Sequence, residues 1–154
     1  MATIKNILCP IDFSECSHQA LDYAIDLAKT LGANMRLLHV YQDPISSIPF
    51  AIGGTAGLPT APIELIVEAR KQRDAEIARM QQVCRDRGIS TEVEEIEGAP
   101  ALTIVMAAED HKVDLIVMGT HGRTGIAHAM VGSIAERVVR LSPCPVLTVR
   151  GTRN

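Results

Sequence analysis

A chain of 154 residues has the length of one domain, and it can bury a hydrophobic core without disulfides or metals. Only 3% of its residues are aromatic, none is Trp, and the formal net charge at pH 7 is −3. Because neither base stacking nor attraction to a phosphate backbone is indicated, we expect no nucleic-acid partner.

The cysteines and the first residues bear on the compartment. Cys9, Cys16, Cys84 and Cys144 have neither metal-ligand spacing nor the pattern of a secreted disulfide scaffold, so reduced thiols are expected. The first residues carry one positive charge and run into polar Asp12, unlike a signal peptide. No apolar run approaches the roughly 20 residues that span a bilayer. These features predict a cytoplasmic protein without a membrane partner.

The first part of the chain predicts a strand, a helix and a second strand. Residues 4–11 are a short apolar run typical of a buried strand. Ser14 can cap a helix whose apolar residues recur at helical spacing until Gly32 stops it. A second strand is predicted at 35–40. Residues 41–62 are rich in Pro, Ser and Gly, and form either a functional loop or a tolerated insertion.

The second part continues the alternation. A long charged helix is predicted at 64–87, with Leu65, Ala69, Ile77, Met80 and Cys84 as its apolar stripe. Its charged remainder is either a solvated face or a partner surface. The following elements are an acidic edge strand, a helix opened by proline, a β-branched central strand, a helix and a last strand, at 89–97, 100–111, 113–118, 133–141 and 145–149.

This order, a strand and a helix repeated and closed by a final strand, predicts a doubly wound α/β fold with a parallel sheet. The pattern alone leaves the strand order open.

One segment with regularly placed glycines has the features of a phosphate-binding site. It leaves the fourth strand at Gly119 and Gly122 and reaches Gly132 and Ser133 at the start of the last helix. Glycine permits positive φ and close approach to a phosphate, and a helix N-terminus favours an anion. Arg123 adds a cation. An ordinary strand-to-helix connection would also explain the first two glycines.

A second segment, Pro10 to Asp12, also follows a strand. Ligands of open α/β sheets bind at the carboxyl ends of the strands, so neighbouring first and fourth strands would place both segments in one crevice. Asp12 either holds its own turn together or contacts a ligand. His121 contacts phosphate, acts as a general base or is merely exposed. His39 is expected in the core, and His128 beside a helix or loop.

Three competing motifs are absent from the sequence. There is no GxxxxGK[ST] phosphate loop, no GxGxxG after the first strand and no GxSxG nucleophile elbow.

The glycine spacing, the turn from Pro10 through Asp12 to Ser14, and the closing sequence Cys-Pro-Val-Leu-Thr-Val at 144–149 resemble universal stress proteins of the UspA superfamily. The resemblance implies one nucleotide-binding domain over residues 1–154, with four helices and a five-stranded sheet in the order 3-2-1-4-5. It also implies the ATP-binding branch. The implied ligand contacts are Pro10, Asp12 and the Val40 backbone at adenine and ribose, and Met118, Gly119, Thr120, Gly122, Gly132, Ser133 and Ile134 along ribose and phosphates.

We therefore expect a nucleotide-dependent stress-response module that binds ATP, AMP or ADP and is not an enzyme. Clustered carboxylates are missing, so Mg²⁺ would be held mainly by the phosphates. The alternatives are a slow ATPase, an adenylate-handling enzyme of related fold, or a dimerising scaffold. The uncharged edge strand at 145–149 predicts a homodimer. Any protein partner is unidentified.

Overall fold

The computed structural model describes residues 3–42, 63–121 and 131–151. Within these ranges, strands and helices alternate along the chain. The elements are β1 (Asn6–Ile11), α1 (Glu15–Leu31), β2 (Asn34–Tyr41), α2 (Ile63–Asp86), β3 (Thr91–Glu97), α3 (Pro100–Asp110), β4 (Leu115–Gly119), α4 (Ser133–Leu141) and β5 (Val146–Val149).

The strands form one parallel sheet in the order β3-β2-β1-β4-β5. This confirms the predicted α/β class and the strand order implied by the family resemblance. Ile7 of β1 lies between Met35 of β2 and Leu115 of β4. Successive strands are added on one side of β1 as far as β3 and on its other side from β4 onward. The strand order therefore reverses between β1 and β4, and the carboxyl ends of these two parallel strands open a crevice.

Both faces of the sheet are buried. Alternate β1 residues divide between the two layers: Ile7 and Cys9 pack with α1 and α2, whereas Leu8 packs with α3 and α4. Burial on both faces explains why the central strands are continuous apolar runs. Cys9 and Cys84 are buried, Cys16 and Cys144 are partly buried, and all are free thiols.

Local signals place the ends of α1 where the sequence predicts them. The side chain of Ser14 accepts a hydrogen bond from the Ser17 amide, and Gly32 follows the helix with a left-handed φ of 63°. Glycine adopts this conformation without steric cost. Helix α4 likewise starts at the predicted Ser133.

Some predicted boundaries are wrong by one or two residues. Strand β4 starts at Leu115 and not at 113, because the Asp114 carboxylate accepts hydrogen bonds from the amides of Lys5 and Asn6. These bonds connect the residue before β4 to the start of β1. Strand β5 similarly starts after Pro145, which has no amide to donate.

The apolar stripe of α2 is correct only in its second half. Ile77, Met80 and Cys84 are buried, but Leu65 is 62% exposed and Ala69 is exposed as well. The first half of the helix lines a cleft and contributes no buried residue to the core. Strand β3 lies at the sheet edge, as its acidic side chains predict.

No helix in the described ranges has both the length and the apolarity needed to cross a membrane.

Candidate functional site

A cleft of about 860 Å³ opens at the carboxyl ends of β1, β2 and β4. The turn after β1 and the start of α4 lie on its walls, with the first half of α2 and the start of α3. This is the position expected for a ligand site where the strand order reverses. Its volume lies within the range of small-molecule sites.

The turn after β1 presents Asp12 at the cleft. Its Oδ1 accepts hydrogen bonds from the Ser14 amide at 3.0 Å and the Ser14 hydroxyl at 2.5 Å. The Asp12 amide donates to the Ser17 hydroxyl at 3.1 Å. The interpretation of Asp12 as a turn residue is therefore confirmed, and the same carboxylate is held rigidly at the cleft wall.

Phe13 adopts a left-handed conformation, with φ of 66°. Such a conformation costs a non-glycine residue about 1–2 kcal/mol. The ring lies 4.6 Å from the imidazole of His39, centroid to centroid, and His39 Nδ1 donates to the Ile11 carbonyl at 3.0 Å. Because His39 is only 6% exposed, its prediction as a satisfied core histidine is confirmed. These contacts hold the turn that carries Asp12.

The apolar wall of the cleft lies on the opposite side of β1 from Phe13. Val40 packs against the cluster that contains Leu38 and Met118, and Pro10 pairs with Leu38 in the sheet. Met118 is 5% exposed. This wall is preformed by the core because its side chains belong to both the cleft and the packed layer.

The glycines at the α4 end are required by contacts within the protein. A Cβ on Gly119 would lie 2.8 Å from the Cβ of Cys16 and 2.9 Å from its carbonyl carbon. A Cβ on Gly132 would lie 2.8 Å from the backbone oxygen of Thr120. Neither glycine has a positive φ, and that of Gly132 is −70°. The expectation of positive φ is therefore wrong for both, and close packing replaces it.

The start of α4 faces the cleft. Gly132 is its N-cap, and no side chain of the described residues caps the first amides. The Gly132 amide donates to the Thr120 carbonyl at 2.6 Å, which fixes the helix to the end of β4. Ser133 is exposed and Thr120 is 2% exposed, with its Oγ1 2.9 Å from Nδ1 of His121. The first-turn amides and the helix dipole favour a bound anion.

The structure brings most of the predicted site residues to this one cleft. Gly122, Arg123 and His128 lie outside the described residues, as do residues 43–62 of the predicted loop. The predicted residues that line the cleft are Pro10, Asp12, Val40, Met118, Gly119, Thr120, Gly132, Ser133 and Ile134.

Sequence reasoning missed the wall that α2 supplies. Leu65, Ile66, Ala69 and Arg73 line the cleft from this helix. Their signal is the spacing of Leu65 and Ala69, which places two apolar side chains one turn apart in an otherwise charged segment. We assigned both residues to the core stripe.

Charged groups around the cleft do not form a metal cage in the described part of the chain, where no three His, Cys, Asp or Glu side chains converge. The residues at the α4 end are hydrogen-bond donors. Their chemistry suits an anion more than a bare cation.

The model of the universal stress protein family matches residues 3–150. Universal stress protein MJ0531 of Methanocaldococcus jannaschii is 38% identical over 148 residues, covering 95% of this chain and 82% of that protein. MJ0577 of the same organism is 34% identical over 154 residues. Its solved structure matches with a TM-score of 0.80 over 99% of this chain and 100% of that one.

A universal stress protein solved in complex with cAMP has the same fold, with a TM-score of 0.64 and 24% identity, over 98% of this chain and 100% of that one. The family match spans nearly the whole chain, and the fold agrees with that of the solved relative MJ0577. The chain therefore belongs to the universal stress protein family.

Proposed function

We propose that this chain binds an adenine nucleotide, ATP foremost, and acts as a nucleotide-dependent binding module in a stress response. One observation carries the proposal. A fixed carboxylate at Asp12, an apolar wall at Val40 and the start of α4, whose first amides no described side chain caps, meet in a single cleft. These groups complement a sugar hydroxyl, a base and a phosphate chain, respectively.

In this proposal each end of the ligand has its own partners. Pro10 and Val40 contact the base, and the Asp12 carboxylate accepts a hydrogen bond from a ribose hydroxyl. The α4 amides and the Ser133 hydroxyl donate to the phosphates. Gly122 and Arg123 add an amide and a cation to this set, and AMP or ADP would use the same base and ribose contacts.

Magnesium would enter with the nucleotide. Mg²⁺ keeps several waters and is commonly bound through substrate phosphates with one or two carboxylates. The phosphates of the bound ATP would therefore supply most of its ligands.

The similar structure solved with cAMP supports the capacity of this fold to hold an adenine nucleotide. At 24% identity that support concerns the fold, and the residue assignments rest on the cleft of this chain.

We propose that nucleotide binding, and not turnover, is the activity. His121 is a candidate base that lines the cleft, and its Nδ1 contacts the Thr120 hydroxyl. Hydrolysis should then be absent or far below the roughly 10 s⁻¹ of a median enzyme. Rapid steady-state phosphate release that is lost in variants of His121 or Arg123 would overturn this proposal and make the protein an enzyme.

The proposal includes a cytoplasmic homodimer and an unidentified protein partner. Strand β5 pairs only with β4 among the described residues, and Leu147 is 37% exposed at this edge. An uncovered, uncharged edge presents amides and carbonyls to a second chain. A two-fold antiparallel pairing would cover both edges.

The first test identifies the ligand directly. The purified protein is denatured, released nucleotide is chromatographed, and the stripped protein is titrated calorimetrically with ATP and GTP. We expect an adenine nucleotide in the released fraction and tighter binding of ATP than of GTP. Absence of both results would contradict the proposal.

A matched pair of variants then locates the phosphates. Ser133→Ala removes the exposed hydroxyl at the start of α4, and should weaken ATP binding by about tenfold, the value of one hydrogen bond to a charged group. Ser142→Ala makes the same change at the other end of α4, where the hydroxyl bonds to Cys144. This control should bind ATP as wild type does.

A further inference from the structure

Only the second half of helix α2 packs into the core. Its buried residues, Ile77, Met80 and Cys84, all lie in the second half. Residues 63–72 include none that is buried, and Leu65 is 62% exposed. Because helices in proteins are stabilised mainly by packing an apolar face, the core does not hold the first half in place.

The first half nevertheless forms a wall of the cleft. Leu65, Ile66 and Ala69 line it, and α2 covers the sheet face opposite to the one that α4 covers. The position of these side chains therefore determines how closed the cleft is.

Arg73 joins this half to the sheet. Its guanidinium carbon lies 4.5 Å from the centroid of the Tyr41 ring, and its Nε lies 2.8 Å from Oε2 of Glu95. The contact with Glu95 is an ion pair and not an aligned hydrogen bond. The Arg73 side chain is only 22% exposed, so both attractions act with reduced solvent screening.

Arg73 Nε also lies 3.6 Å from Oδ1 of its neighbour Asp74 on the helix, whereas its two partners on the sheet lie on the neighbouring strands β2 and β3. Tyr41 is the last residue of β2, and Glu95 lies near the end of β3, opposite His39. One side chain thus connects the exposed half of α2 to the sheet, and its partner Tyr41 directly follows Val40, a proposed base contact.

We propose that Arg73 is a latch: its contacts with Tyr41 and Glu95 hold the first half of α2 against the cleft and so control how fast a bound nucleotide leaves. Arg73 acts here as a positioning residue. The dependence on nucleotide rests on the proposed function, whereas the ordering of the helix does not.

Hydrogen exchange of the ligand-free protein tests the ordering. In Arg73→Ala, amide exchange over residues 66–72 should accelerate about tenfold, the value of a partly desolvated cation–π contact, while residues 78–84 stay protected. Arg79→Ala is the matched control, since Arg79 pairs only with Glu76 on the exposed helix surface among the described contacts. It should leave both segments unchanged. Unaltered exchange over 66–72 in Arg73→Ala would overturn the latch.

Stopped-flow displacement of a fluorescent ATP analogue tests the control of release. Arg73→Ala should raise the dissociation rate constant about tenfold, and Arg79→Ala should not. Arg73→Lys keeps the charge but lacks the planar group that stacks on Tyr41, so we expect an intermediate rate.

The two assays separate the two proposals. A wild-type protein that does not bind the analogue contradicts the proposed function, and the latch is then decided by hydrogen exchange alone. Binding by wild type with equal dissociation rates in Arg73→Ala overturns the control of release and leaves nucleotide binding intact.

Discussion

Replacing Gly132 with alanine should weaken nucleotide binding by disturbing the junction of β4 and α4. The added Cβ would lie 2.8 Å from the Thr120 oxygen and 3.6 Å from the Cα of His121. The same oxygen accepts the Gly132 amide at 2.6 Å. Alanine tolerates the φ of −70°, so the cost comes from this contact and not from backbone strain. A backbone carbonyl cannot rotate away, and α4 must therefore move.

That movement should reduce both the free energy of unfolding and the free energy of ATP binding. Overpacking of this kind costs about 1–3 kcal/mol of stability, or about 2–4 °C of Tm for each kcal/mol in a chain of this size. In the proposed complex, displacing the Ser133 amide would also impair its hydrogen bond to a charged phosphate, and such a bond contributes about 1.5–3 kcal/mol. The Kd for ATP should therefore rise about tenfold to a hundredfold.

Calorimetric titration and thermal melts of Gly132→Ala and Gly32→Ala provide the assay. Gly32 has a φ of 63° and no atom within 4 Å of an added Cβ, so its alanine variant loses stability through backbone strain alone, about 1–2 kcal/mol. It follows the end of α1, away from the cleft. Gly32→Ala should melt early yet bind ATP normally. Wild-type affinity in folded Gly132→Ala would refute the reasoning.

Three further predictions address other parts of the fold. Leu147→Lys should convert a dimer to a monomer in sedimentation, and a wild-type monomer at high micromolar concentration would refute the β5 interface. Burial raises the pKa of the Cys9 thiol in the folded protein, and the charge of the nearby Cys84 thiolate raises it further. In the unfolded chain the thiol loses its proton at about pH 8.5. The free energy of unfolding should hold its full value below that pH and fall above it. This loss of stability with rising pH should be smaller in Cys9→Ala than in wild type. Free energies of unfolding from urea titrations that fall equally with pH in both proteins would contradict the prediction. Ser14→Ala should lower the free energy of unfolding by about 1 kcal/mol through loss of the cap, and an unchanged urea midpoint would exclude the cap as a stabilising contact.

Features that depend on neighbouring residues could be predicted from the sequence. The alternation of strands and helices follows from hydrophobic periodicity, and both ends of α1 follow from Ser14 and Gly32. The strand order came from the family resemblance and not from the pattern. Placing the turn after β1 and the start of α4 at one crevice required only that β1 and β4 be neighbours.

The sequence by itself determined the order of elements and the chemistry of the segments at the strand ends, because periodicity, capping and turn preferences act over a few residues. Only the tertiary structure decided why Gly119 must be glycine, since the obstructing atoms belong to Cys16, far away in the chain. It also decided which half of α2 is buried and brought Arg73 to Tyr41. These outcomes depend on distances between elements that are remote in sequence, and packing alone sets those distances.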